Sequence, residues 1–244
     1  MNLLASHPPR VIAASLPSAT LAERAYAQIK QLIFDFVLLP GDRFSESDLA
    51  NQVQVSRTPL RQALQRLQRE GFLQVFPKSG WQVAPLDFEV FDQLYDLRVL
   101  IETHAVARLC EAESRPYLAH LADTWLGQVQ PHPVGLCVDQ LDEAFHSTLV
   151  QSTGNQEMVR VHSDINERIR IIRRLDFTKP ARVEATYDEH ARILRAITRR
   201  RADEAVRLLR AHIEQSKLEV RHITLDMLYQ ARQGVRRLKS AVSP

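Results

Sequence analysis

The stretch from Phe44 to Leu64, FSESDLANQVQVSRTPLRQAL, leaves little freedom in how it folds. Its apolar residues recur at helical spacing in two short runs: Leu49, Ala50 and Val53, then Leu60, Ala63 and Leu64, continued by Leu67. Ser45 stands where an N-cap belongs, with Glu46 and Asp48 in the first turn, where carboxylates offset the helix dipole. Val55 fills the turn between the runs. Ser56 is placed to cap the second helix, and Pro59 falls in its first turn, where a missing N–H does no harm. Arg57, Arg61, Gln62, Gln65, Arg66 and Arg69 lie off the apolar stripe. These positions predict a helix-turn-helix whose second helix turns a basic face outward.

The flanks extend the unit. Thr20-Leu-Ala-Glu23 has the form of a capping box and predicts a helix to about Phe36, with Tyr26, Ile29, Ile33 and Phe34 inward. Gly71 ends the basic helix. Two strand-like runs follow, Phe72 to Phe76 and Trp81 to Ala84, joined by Pro77-Lys-Ser-Gly80. A hairpin at this place makes the module a winged helix. From Asp87 the pattern is helical throughout, and Val90, Leu94, Leu97, Ile101 and Ala105 suggest the inner face of its first long segment. Further segments are expected from Pro116 to about Val129, from about Leu136 to Gln151, and from Gln156 to Leu175. A fifth starts at Thr178 and Pro180, and a last one is capped by Asp203. The fold class expected is mainly α: an N-terminal winged helix-turn-helix followed by an all-α bundle of six or seven helices. The divisions are a tail over 1–18, the winged helix over 19–86, the bundle over 87–234 and a tail over 235–244.

Charge is unevenly spread. Residues 1–86 hold nine Lys/Arg against six Asp/Glu, whereas the remainder holds 23 of each, so the excess of +3 sits with the winged helix. A basic module joined to a neutral one suits an anionic polymer read by the first part alone. Two cysteines, Cys110 and Cys137, make no disulfide framework and suit buried apolar roles. No apolar run approaches the roughly 18 residues of a membrane span, and a cytoplasmic location is expected.

Leu39-Pro-Gly-Asp-Arg-Phe-Ser-Glu46, Val55-Ser-Arg-Thr-Pro-Leu-Arg-Gln-Ala-Leu64 and Leu67-x-x-Glu-Gly71 together closely resemble the GntR family of bacterial transcription regulators. The helical half resembles the FCD ligand-binding domain of its FadR subfamily through Leu97-Arg-x-x-Ile-Glu102, Asp142-x-x-Phe-His146, Gly154-Asn155, His190 and His212. The resemblance implies a homodimer that binds double-stranded operator DNA through the winged helices, and a small molecule in the helical domain that changes this affinity. It makes Arg57 and Arg61 the leading base-contact candidates, with Thr58 beside them and Ser56 at a phosphate-binding helix N-terminus. Arg66 would touch backbone, and Lys78, Ser79 and Gly80 form a wing tip that could reach phosphate or minor groove. Two departures stand out: Ser47 occupies a place where the family usually has a DNA-contacting arginine, and Gln54 a turn position where it often has glycine.

The same resemblance marks Asp142, His146, His190 and His212 as metal ligands. Asp142 and His146, four residues apart, project from one helix face among Leu141, Phe145 and Leu149. Three imidazoles and a carboxylate suit a divalent transition metal, zinc first, with nickel or manganese as alternatives. Arg98 could hold the carboxylate of an organic-acid effector, or simply pair with Glu102; Arg170, Arg173 and Arg174 are weaker candidates. The leading expectation is a ligand-responsive repressor with a metal site, and two other readings compete with it: a metal-free regulator that senses an acyl or other apolar ligand, and a metal-dependent hydrolase.

Overall fold

The computed structural model describes residues 19–76, 80–114, 116–127, 138–177 and 179–222, together with 227, 229, 230 and 233. Both expected tails, Lys78 and Ser79 of the wing tip, Cys137, and the expected helix start at Thr178 lie outside the described residues.

In the winged helix, α1 (Leu21–Phe34) opens on the full capping box, Thr20 and Glu23 each accepting from the other's backbone N–H. Its buried face is Ala25, Ile29, Lys30, Ile33 and Phe34; Tyr26 is only half-buried, and a lysine takes its place inside. Strand β1 (Arg43–Phe44) leads to α2 (Glu46–Val53), where the Ser45 side chain accepts from Asp48 N at 3.1 Å. Gln54 then turns in the left-handed region, φ 53°, a conformation glycine would adopt without steric cost. Recognition helix α3 (Arg57–Arg69) buries Leu60, Ala63, Leu64 and Leu67, as its spacing predicts. Each of those leucines contributes on the order of 1.5–3 kcal/mol by burial. Ser56 takes the N-cap place with extended backbone, but its side chain makes no capping hydrogen bond, which corrects the expected cap.

The wing is a three-stranded antiparallel sheet in the order β1-β3-β2, with β2 (Leu73–Phe76) and β3 (Gly80–Val83). Its register sets Val75 opposite Trp81 and Phe44 on the other side of the same tryptophan. The two-residue β1 is too short to read from alternation. Gly80 has φ 93°, and an added Cβ would stand 2.6 Å from the carbonyl oxygen of Phe44. Gly80→Ala is therefore expected to destabilise the wing by about 1–3 kcal/mol, seen as a lower unfolding midpoint. An unchanged midpoint would show that the strand relaxes freely at this point.

Among the described residues the second half is six helices: α4 (Phe88–Glu111), α5 (Tyr117–Trp125), α6 (Val138–Gln151), α7 (Gln156–Asp176), α8 (Pro180–Thr198) and α9 (Ala202–Val220). Asp87 caps α4 through Glu89 N and Val90 N, and Asn155 caps α7 through Met158 N. α4 packs along α9, α6 on α7, and α8 on α9. Two expectations need correction. α9 starts at Ala202 after a left-handed Arg200 (φ 60°), so Asp203 lies inside its first turn instead of capping it. The inner face of α4 carries Phe91, Leu94, Tyr95, Arg98, Glu102, Ala105, Val106 and Leu109, while Leu97 is 46% exposed. Apolar periodicity misplaces this face because two of its central positions are held by an ion pair, Arg98 with Glu102.

Candidate functional site

The outer surface of α3 is a candidate nucleic-acid interface. Ser56, Arg57 and Thr58 are exposed at its N-terminal turn, which is the end a major groove admits first. Arg61 is also exposed, and its Nε donates to Glu46 Oε2 at 2.8 Å. Glu46 Oε1 lies 3.4 Å from Trp81 Nε1, so Arg61 stands at the junction of α2, α3 and the wing. Arg66 is turned the other way: it pairs with Glu70 at 2.9 Å and stacks over the Tyr26 ring at 3.8 Å. Its guanidinium therefore braces α1 against α3.

The second site lies inside the helical half. Asp142 and His146 of α6, His190 of α8 and His212 of α9 are all buried, and one ligand atom from each falls within a sphere of contacts under 4.8 Å. His146 Nε2 is 3.1 Å and His190 Nε2 3.3 Å from His212 Nε2. Asp142 Oδ1 lies 3.2 Å from His190 Nε2, 3.5 Å from His146 Nε2 and 4.0 Å from His212 Nε2. Four donors around zinc, at bonds of about 2.0–2.1 Å, would stand roughly 3.3 Å apart. The spacing fits.

The surrounding groups fix how these rings are protonated. His146 Nδ1 is 2.5 Å from Glu102 Oε2, and His212 Nδ1 is 2.6 Å from Glu189 Oε2. Against the upward push of burial, Arg98 and His146 hold the Glu102 carboxyl well below the usual carboxylate range. Burial acts likewise on Glu189, but His212 and Arg182 bring it down to about 2. Both carboxylates are thus acceptors, each Nδ1 carries the proton, and the Nε2 lone pairs face one another. Burial lowers His146 and pushes His190 and His212 down to about 4, so protons do not relieve that repulsion near neutrality. Asp142 Oδ1, equally buried, has no hydrogen-bond partner. A cation among these four atoms would satisfy all of them, and the donor set therefore fits a divalent metal.

His190 is held differently. Its Nδ1 has no hydrogen-bond partner; its ring stacks on Phe145 at 3.8 Å and meets the edge of Trp125 at 4.3 Å. Asp142 keeps its charge because Arg173 pairs with Oδ2: burial pushes the carboxyl up, but Arg173 and His146 hold it well below the ordinary range.

The sequence matches the profile described as "Bacterial regulatory proteins, gntR family" over residues 21–83, and that of the FCD domain over residues 93–215. It is 34% identical over 177 residues to the Nta operon transcriptional regulator of Aminobacter aminovorans, covering 72% of this chain and 83% of that protein. The chain belongs to the GntR family of bacterial transcription regulators. As a GntR-family member with an FCD domain it is a DNA-binding regulator, not an enzyme, and the hydrolase reading falls away. The gluconate operon transcriptional repressor of Bacillus licheniformis is 24% identical over 185 residues, 73% of each chain. Among solved structures, a GntR transcriptional regulator from Rhodococcus sp. RHA1 shares the fold with a TM-score of 0.65 at 19% identity, over 83% of this chain and 98% of that one. Among the described residues no helix is long and apolar enough to cross a membrane.

Within this GntR regulator the structure brings together the four marked ligands and adds residues that sequence reasoning passed over. His162 is buried with its Nε2 2.9 Å from Glu102 Oε1, the oxygen that also accepts from Arg98 Nε at 2.5 Å. Glu102, Glu189 and Arg173 are the supports of the cluster. Arg98 pairs with Glu102, and its Nη2 has no hydrogen-bond partner. Arg170 and Arg174 turn away from the cluster, toward α1.

A pH consequence follows for the chelator-stripped chain. Unfolded imidazoles titrate near 6.5, whereas folded His190 and His212 titrate at about 4. Between those values the unfolded state binds more protons, so stability is full above pH 6.5 and declines as pH falls toward 4. The unfolding midpoint is expected to drop between pH 7 and 5, before most carboxylates titrate. A flat profile over that interval would contradict neutral buried rings.

Proposed function

We propose that this chain is a ligand-responsive repressor that binds a palindromic operator as a homodimer in the cytoplasm. Its winged helix over 19–86 reads DNA, and its FCD domain over 87–234 senses a small organic acid at a metal-containing cavity. The observation that carries this reading is the convergence of three buried imidazole nitrogens on an unpartnered Asp142 oxygen, in a chain whose Arg57 and Arg61 face outward. Zinc suits the donor set best, and nickel and manganese share its ligand preferences in part. When bound, the metal supplies a Lewis-acidic point that a carboxylate can complete.

A cleft of about 650 Å³ between α8 and α9 supports an anionic effector. Lys179, Arg182 and Arg192 line it together with Glu219 and Glu189, which pair with Lys179 and Arg182, so Arg192 is the cation outside those pairs; its wall also includes His212. That volume lies within the usual range for small-molecule sites. Arg98 offers an unpartnered Nη2 inside the bundle as a second carboxylate contact. Repression is favoured by the naming of relatives, among them the Escherichia coli repressor RspR at 23% identity.

The test uses protein purified without an affinity tag or added metal. Metal analysis is expected to find about one zinc, nickel or manganese per chain. Binding to a palindrome from upstream of its own gene is expected in the range of roughly 10⁻⁸–10⁻¹¹ M with steep salt dependence. Organic acids should then weaken it. A metal-free protein of equal stability would favour the alternative regulator that holds an acyl or other apolar ligand. Affinity no better than for random duplex would sink the operator reading.

A further inference from the structure

α7 is occupied on two faces. His162, Asn166 and Arg173 turn toward the Asp142 cluster: His162 meets Glu102, Asn166 lies 3.3 Å from His162 Nδ1, and Arg173 pairs with Asp142. Glu167, Arg170 and Arg174, three and four residues apart, turn toward α1 of the winged helix. Glu167 Oε1 is 2.8 Å from Lys30 Nζ, and the Arg170 guanidinium is 5.2 Å from the Phe34 ring. Arg174 Nη1 donates to the Phe34 carbonyl at 2.8 Å and lies 3.2 Å from Asp35 Oδ1. α1 has no basic residue in its own last turn. Arg174 supplies, from the other domain, the cation a helix C-terminus favours.

Arg174 also pairs with Asp139 of α6, Nε to Oδ2 at 3.1 Å. Asp139 and Asp142 lie one turn apart on α6, and Arg173 and Arg174 are adjacent on α7. Three ion pairs thus tie the same two helices: Arg173 with Asp142 at the metal cluster, Arg170 with Glu143 beside it, and Arg174 with Asp139 at the domain boundary. From α1 the contact continues to the recognition helix: Lys30 Nζ is 2.9 Å from Glu70, and Arg66 lies over Tyr26.

We infer that Arg174 is the positioning residue through which occupancy of the Asp142 cluster is transmitted to α1 and the recognition helix, an inference that rests on the metal reading above. A cation on Asp142 Oδ1 draws negative charge from the carboxylate that Arg173 holds through Oδ2, and so weakens that pair. The α6–α7 spacing at that turn responds, and the Asp139–Arg174 pair one turn away moves with it. A ligand shifts an equilibrium only through such unequal contacts in its two states. Packed elements answer by discrete displacement rather than by deformation.

The test titrates zinc into the full chain, reading stoichiometry by calorimetry and α1 by hydrogen exchange. In the wild type about one zinc binds, and amides of residues 21–34 change their exchange rates at least about five-fold. In Arg174→Ala zinc stoichiometry stays the same while the response of α1 falls to less than about two-fold. Asp35→Asn, which removes a partly exposed partner and leaves the core intact, is expected to blunt the response likewise and serves if Arg174→Ala does not fold. A full α1 response in the variants overturns the inference, as does zinc binding in the wild type with no response in α1. If the wild type binds no zinc, the metal reading fails and the coupling falls with it; the calorimetric arm separates that failure from the others.

Discussion

Replacing Arg57 or Arg61 by alanine is expected to weaken operator binding roughly 5- to 150-fold each, the equivalent of about 1–3 kcal/mol for a lost bidentate base contact. Both side chains are exposed on the N-terminal half of α3, so neither substitution opens a cavity. The two losses should differ in kind. Arg57 has no protein partner competing for it among the ion pairs described, whereas Arg61 must be shared with Glu46 at 2.8 Å. Arg61→Ala therefore also frees Glu46, a carboxylate close to where DNA would lie, and should steepen the loss at low salt. Arg66→Ala provides the contrast: its guanidinium is engaged with Glu70 and Tyr26, so it should change stability more than sequence preference. Titration of fluorescent operator and random duplex at two salt concentrations checks all three. Unchanged discrimination in the Arg57 and Arg61 variants would remove α3 as the reading element.

The larger structural effect is expected at Glu102. This carboxylate is fully buried and accepts from Arg98, His146 and His162 at 2.5, 2.5 and 2.9 Å. Glu102→Ala leaves the Arg98 charge buried without its partner, a change that costs about 3–5 kcal/mol. It also releases His146 from the bond that fixes its tautomer, and loss of such a support typically lowers metal affinity about 10- to 100-fold. Chemical unfolding of the metal-free chain and competitive zinc titration measure the two effects separately. Combining Glu102→Leu with Arg98→Met should restore much of the stability, because a well-packed apolar pair replaces a buried ion pair at little cost, yet leave zinc binding weak. Recovery of both together would mean that Glu102 acts on fold alone.

Much of the reader is legible from residues. The spacing of Leu60, Ala63, Leu64 and Leu67 gives α3 its buried stripe, and Thr20, Ser45 and Asp87 sit at helix starts they do cap. The four clustered ligands were legible through likeness of pattern, since His190 and His212 on separate helices give no local sign that they meet. What stayed hidden has a common physical cause: inward charge. Arg98 and Glu102 displace leucine from the inner face of α4, so hydrophobicity points to Leu97, which is in fact 46% exposed. Lys30 does the same on α1. His162 looked unremarkable because its partner, Glu102, is 60 residues away in sequence. A buried charge declares itself only through its partner, and partners distant in sequence are invisible to periodicity.

Lys30 has a broader consequence for how such regulators can be rearranged. Its side chain is buried, with an acid from each half of the molecule beside it, Glu70 from one and Glu167 from the other. Grafting this amino-terminal half onto the sensing half of a relative is then more than joining two autonomous blocks at a linker. Unless the recipient offers an acid at 167 and a guanidinium at 174, the graft inherits a buried ammonium with one of its two acids missing and an uncapped helix end. Chimaeras across this seam should succeed or fail by those two positions before overall similarity counts.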